Sequence, residues 1–270
     1  MALRPALRPG APLLRRDATH LQVGTSPGVI LPDRPGLLSF LRLLDGARDL
    51  QRLGALVRER VPELQDDVSE LVSRLMAAGA VVDTSAADPR ATHELAVVGD
   101  PASGEVVGAI RSILTSAGLH RLDSTEPEML VLVSCGEPPR SAFEQASLWG
   151  IDHLPVVIDE DRVRIGPLVT PGRTPGLCCH DLHRADFDPA WPALLHQLGR
   201  AAGGASAAGL RATTAHAAAV EVAAATLDHL DGARPLTVGC CLLVGPRHDE
   251  RTQRPVPFHP RCTCDLLGAA

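Results

Sequence analysis

A chain of 270 residues with a hydrophobic fraction of 45% is long enough for one large domain or two modest ones, each burying its own core. Its cations are all arginine, with no lysine in the chain, and the formal net charge is −6. That balance argues against a dedicated nucleic-acid binder and leaves no lysine to hold a nucleotide phosphate. The longest apolar runs, MLVLV at 129–133 and AAAVEVAAATL at 217–227, are too short or too alanine-rich to span a bilayer, and the proline-broken amino end lacks the apolar stretch of a signal peptide. A cytoplasmic location with no membrane partner is expected, where seven cysteines serve as thiols or metal ligands rather than disulfides.

In chain order, PLLRR (12–16), HLQVG (20–24) and GVILP (28–32) are short β-prone runs separated by turn residues, the Ser-Pro-Gly at 26–28 among them. Leu37, Phe40, Leu41 and Leu44 recur at helical spacing up to Gly46. A second helix starts at an Asp49 cap and stops before Pro62. A third places Val68, Leu71, Val72, Leu75 and Met76 on one face and ends at Gly79. Three strands followed by three helices predict a winged-helix domain over 1–84.

SAADPRA (85–91) has the small, polar, proline-bearing character of a linker. Over 92–270 strands and helices alternate: strands at ELAVVGD, EMLVLVSC, LPVVIDE and RVRIGPLVTPG (162–172), with helices between the first three. A helix at 189–200, a flexible stretch at 199–209, an alanine-rich helix at 212–230, a strand in LTVGCCLLVG and a proline-rich end complete the chain. The alternation predicts an α/β sheet with crossover connections.

The run GPLVTPGRTPGLCCHDLHRADFDPAWP at 166–192 and the closing HPRCTC at 259–264 resemble the E1-like, ThiF-related partner proteins of thiazole/oxazole-modified (TOMM) peptide biosynthesis, common in actinobacteria. Upstream, the small unit with LLDGAR resembles a PqqD-like RiPP recognition element. The resemblance implies a winged-helix recognition domain joined to a degenerate E1/ThiF-like, Rossmann-type α/β domain. The implied role is to bind the leader of a ribosomally made precursor peptide and present it to a separate YcaO-type cyclodehydratase. E1-like scaffolds are often dimeric, so a homodimer is among the assemblies the resemblance implies.

An adenylating E1 enzyme needs a glycine-rich turn after its first strand, where helix N-terminal amides cradle phosphates. Here that place reads VVGDPASGEVVG: the spacing of Gly99, Gly104 and Gly108 is wrong, and Asp100 would set a carboxylate against a triphosphate. No ATP chemistry and no catalytic residue are expected, with an active adenylating enzyme as the alternative. The family's first cysteine pair is C-x-x-C, and this chain has Gly176 where the first would stand, with Cys178 and Cys179 following. Cys179, Cys262 and Cys264 match family ligand positions for a structural Zn²⁺. Cys178, His180 or His183 is open as the fourth ligand. Cys135, Cys240 and Cys241 read as structural thiols. Asp181, Arg184, Asp186 and Asp188 read as a network capping the helix at 189, with Trp191 packing that helix onto the sheet.

A recognition element of this kind works by β-augmentation, the peptide adding a strand to an open sheet edge beside a groove. The edge expected here is Gly28, Val29, Ile30 and Leu31, and the groove wall Val68, Leu71, Val72 and Leu75, which also have a core to fill. Arg34 and Arg74 would pair with leader acids. The competing reading is a DNA-binding regulator: residues 1–62 hold ten arginines against five acids. Its reading helix would begin LQDDVSEL, too acidic for a major groove.

Overall fold

The computed structural model describes residues 2–85, 89–201, 207 and 209–264; linker residues 86–88 and most of the stretch 199–209 expected to be flexible lie outside them. The chain divides into two compact units, Met1–Ala87 and Asp88–Ala270, and is of mixed α/β type. Among the described residues no helix is long and apolar enough to cross a membrane.

The first unit runs β1 (Pro5–Leu7), β2 (Leu13–Arg15), β3 (His20–Val23), β4 (Val29–Pro32), α1 (Leu37–Leu43), α2 (Leu50–Arg60), α3 (Val68–Ala77) and β5 (Val81–Asp83). β2, β3 and β4 form an antiparallel sheet in that order. Leu21 and Val23 of β3 meet Phe40, Leu41, Leu53, Val57 and Val72 in one core. Asp49 caps α2 as its sequence suggests, accepting the Arg52 N–H at 2.8 Å. β1 and β5 pair with each other and were not expected; strands of three residues are too short to show a period.

The second unit runs β6 (Leu95–Gly99), α4 (Gly104–Ser116), β7 (Met129–Cys135), α5 (Glu144–Leu148), β8 (Asp152–Asp159), β9 (Arg162–Ile165), α6 (Leu177–Phe187), α7 (Trp191–Ala201), α8 (Ala212–Leu230), β10 (Cys240–Val244) and β11 (Arg251–Pro255). Its six-stranded sheet has the order β11-β10-β9-β8-β7-β6. β6, β7 and β8 are parallel and the remaining pairings antiparallel, so the sheet is mixed rather than a crossover sheet throughout. The strand expected over 162–172 ends at Ile165, because Gly166 turns to φ 91°, a left-handed conformation that breaks the pleat. Beyond it Leu168 and Val169 make single bridges to Val238 and His153. β11 lay in the segment read only as proline-rich; its RTQRP is exposed at every position and carries no apolar alternation.

The two faces of this sheet differ. Val131 and Val133 of β7, Leu154, Val156 and Ile158 of β8, and Val163 and Ile165 of β9 pack under α4 and α8 in the main core. Alternate positions place His153, Arg164 and Cys241 on the other face. Arg164, 8% exposed, bonds both oxygens of Glu137 at 2.7 and 2.8 Å and the Gly166 carbonyl at 2.8 Å. Arg140 adds a bond to Glu137 at 3.1 Å and grips Asp181 through two more, at 2.7 and 2.8 Å. Burial alone would raise Glu137 and Asp181; the arginines outweigh it and hold both below the usual carboxylate range.

Breaking a buried pair leaves a charge without a partner, so Glu137→Ala should cost about 3–5 kcal/mol in chemical denaturation. Because both folded pKa values are depressed, the stability they confer is present above the unfolded range of about 4 and lost as pH falls through it toward the folded values. Denaturation midpoints measured from pH 7 to pH 2 should show that fall, with part of it missing in Glu137→Gln.

Candidate functional site

α6 begins at Leu177 and sets Cys178 and Cys179 in its first turn. The C-terminal segment is tied along this helix. His183 Nε2 donates to the Pro257 carbonyl at 3.1 Å, His259 Nε2 donates to Asp186 at 2.8 Å, and Arg261 pairs with the same carboxylate. These contacts deliver Cys262 and Cys264 to Cys179. The three Sγ atoms lie within 4.8 Å of one another, and those of Cys179 and Cys264 are 3.2 Å apart. A tetrahedral ion holding thiolates at about 2.3 Å places its sulfurs roughly 3.8 Å apart, so the cluster fits a thiophilic metal ion. Burial opposes ionisation of Cys262, but the Cys264 amide and the neighbouring thiols outweigh it and lower its pKa.

Cys178 is exposed and stands outside the group of three. Successive helical side chains diverge by about 100°, which turns it to the rim, where partial desolvation of the thiol and its contact with Cys262 push its pKa up to about 12. The histidines are committed elsewhere. His259 Nδ1 accepts the Arg261 N–H at 3.1 Å, so both of its ring nitrogens are used, and His180 turns to Asp181. Cys241 packs against Cys179 and Val256 as a small apolar residue. Buried Cys135 is pushed up to about 11 by desolvation and the Asp100 charge, so its thiol stays protonated.

The aspartates of this run do not form one cap. Asp188 accepts the Ala190 N–H at 3.0 Å, whereas Asp181 serves Arg140 and the Trp191 indole N–H at 3.2 Å. Asp186 holds the C-terminal segment. Arg184 lies over the Trp191 ring at 3.5 Å. The Glu137–Arg164 pair was not foreseen; an arginine between two valine or isoleucine neighbours in RVRIG was the available signal, since a charge at a buried strand position needs a counter-charge.

At the turn after β6, Asp100 Oδ1 accepts the Ser103 N–H at 2.9 Å and Oδ2 accepts the Cys135 N–H at 2.6 Å. The chain's own carboxylate thus occupies one amide in the helical segment that leads into α4 and one at the end of β7. A Cβ on Gly99 would meet Ser103 Oγ at 2.4 Å and Val107 at 2.7 Å, so this glycine serves close packing of turn against helix.

In the first unit β4 pairs only with β3, and among the described residues no strand covers its other side. The Asp33 N–H donates to the Thr19 carbonyl at 2.7 Å. With the register His20↔Pro32 and Val23↔Val29, that bond makes Leu21↔Leu31 and Val23↔Val29 the hydrogen-bonded pairs. The N–H and C=O of Ile30 therefore point away from the sheet, as do the carbonyls of Gly28 and Pro32. Ile30 is 47% exposed, and Val29 and Leu31 border the core. Val68, Leu71, Val72 and Leu75, expected along a groove, are buried at 9% exposure or less and fill the unit's own core. Arg34 bonds Asp67 at 2.9 Å, and Arg74 lies 3.9 Å from Glu70.

No protein-family model matches the chain, and none of the curated proteins does. Solved structures share its fold. The heterocyclase TruD gives a TM-score of 0.69 at 17% identity over 98% of this chain and 43% of its own. A heterocyclase in complex with substrate and cofactor gives 0.67 at 17%, over 98% and 40%. E. coli MccB with ATP gives 0.53 at 11%, over 96% and 99%. The chain spans less than half of the heterocyclases it resembles.

The thiol geometry sets an order of sensitivity for metal content, measured by elemental analysis of purified protein. Cys262→Ser and Cys264→Ser should fall to background, while Cys178→Ser keeps more than half. Equal metal in wild type and all three variants would exclude the corner as the ligand set.

Proposed function

We propose that this chain recruits a ribosomally made precursor peptide by its leader and presents it to a separate YcaO-type cyclodehydratase for azoline formation. The observation that carries this reading is the open edge of β4, with the Ile30 amide and carbonyl directed outward from a half-apolar strand. In this reading the first unit is a winged-helix, PqqD-like recognition element. A leader strand laid on β4 bonds to Ile30 and to the carbonyls of Gly28 and Pro32. Its alternate residues fall in line with Val29 and Leu31 and continue the core face, so leaders with apolar residues at every second position are favoured. With the α3 stripe committed to the core, the strand itself does most of the selecting. An acidic leader residue must compete with Asp67 for Arg34, an exposed pair worth about 1 kcal/mol at most.

The second unit is read as a degenerate E1-like scaffold without catalysis of its own. Asp100 supports this, because a nucleotide phosphate would have to displace a carboxylate already bonded to two amides and then face its charge. The likeness in fold to heterocyclases supports the setting. The thiol corner is read as a structural zinc site built on Cys179, Cys262 and Cys264, in which the metal would fasten the C-terminal segment to α6. It supplies no reactive group in this role.

A displayed peptide library panned on the full chain should enrich binders that Ile30→Pro loses by tenfold or more. Proline at this outward position removes one peptide-facing donor and leaves the β3–β4 ladder intact. Binders unaffected by Ile30→Pro, or ATP–pyrophosphate exchange by the purified chain, would overturn the reading.

A further inference from the structure

The second unit contains a cavity of about 750 Å³ between α5, α6, α7 and the loop at 169–176. Its wall is mainly apolar, with Phe143, Val169, Leu177, Leu182, Trp191 and Leu195, and it excludes the Asp100 turn. Size and lining match those of small-molecule sites, which combine apolar walls with a few placed polar groups.

One of those groups is unpaired. His153, on the second face of β8, lines the cavity and is 2% exposed. Its Nδ1 lies 3.0 Å from the Ile151 carbonyl; a carbonyl only accepts, so Nδ1 carries the proton and Nε2 presents a lone pair. Burial lowers its pKa, which keeps the ring neutral, and Phe143 holds it at a centroid distance of 5.3 Å. Among the described residues nothing donates to Nε2. Of the wall's charged groups, Arg140 and Asp181 bond each other, the Trp191 indole bonds Asp181, and Glu144 is exposed. Nε2 opens on the cavity, a space large enough to admit a donor, and a ligand N–H or O–H placed there would meet an acceptor that no protein group already uses.

We infer that this cavity binds a flat apolar ring carrying one N–H or O–H, with that donor on His153 Nε2. An indole or a phenol, free or as a peptide side chain, has this chemistry. A charged ligand does not, because the wall has no uncommitted counter-charge at its buried end. The site is separate from the β4 edge and stands or falls without it.

Calorimetric titration of the full-length chain with indole and with 1-methylindole tests the assignment, since methylation removes the donor and keeps the ring. Indole should bind saturably and 1-methylindole at least about fivefold more weakly, the effect of one unmade buried hydrogen bond. His153→Phe, which keeps a ring against Phe143 but lacks the acceptor, should bring the two to equal affinity. The ¹⁵N resonance of His153 Nε2 gives a reading that needs no variant: it should move with indole and stay with 1-methylindole. N-acetyltryptophanamide binding as well as indole would assign the ring to a peptide side chain, and its exclusion would assign a free molecule. No saturable indole binding, or equal affinity of the two probes for wild type, would overturn the inference.

Discussion

The Ser103 and Cys135 amides both donate to Asp100, which fills the turn after β6 with the chain's own negative charge. Helix N-termini attract negative charge because their first amides have no partner within the helix. Here the partner is covalently part of the chain, at an effective concentration no free nucleotide reaches. The close approach of Gly99 to Ser103 and Val107 fixes the turn in that form. On the proposed reading the α/β unit contributes placement: a sheet, a tethered C-terminal segment and surfaces at its second face.

That second face explains the crowded run from Gly176 to Pro192. α6 is polar on several sides because it is bonded on several sides. Asp181 and Arg184 turn to Arg140, Glu137 and Trp191, while Cys179, His183 and Asp186 turn to the segment that carries Cys262 and Cys264. The same face presents the His153 lone pair to the cavity. Charges buried in this way are costly unless fully paired, and the pairing ties β9, the loop after β7 and α6 into one arrangement.

Much of this was legible in sequence, for reasons that differ by element. Helical spacing located α1 and α3, a cap and a proline bounded α2, and the apolar runs of β7 and β8 were plain because strands covered on both faces read as continuous apolar stretches. The Cys179, Cys262 and Cys264 cluster was readable from a family-like spacing. β1, β5 and β11 were not, being too short or too exposed for burial to leave a pattern. Glu137 and Arg164 are 27 residues apart, and sequence shows the need for a partner without showing which one. The α3 stripe illustrates a different limit: Val68, Leu71, Val72 and Leu75 have the periodicity of either a core or a groove, and only the coordinates show that the core takes them all.

The peptide-recruiting role rests on an unpaired strand margin in one unit and a self-occupied anion turn in the other. Backbone amide exchange reads both at once. Deuterium uptake of the full chain would be followed with a peptide enriched from the displayed library, and separately with magnesium-ATP. The expected result is slowed exchange at 28–32 with the peptide and unchanged exchange at 99–104 and 135 with the nucleotide. Protection of 99–104 and 135 by ATP, with no effect of the peptide on 28–32, would contradict it.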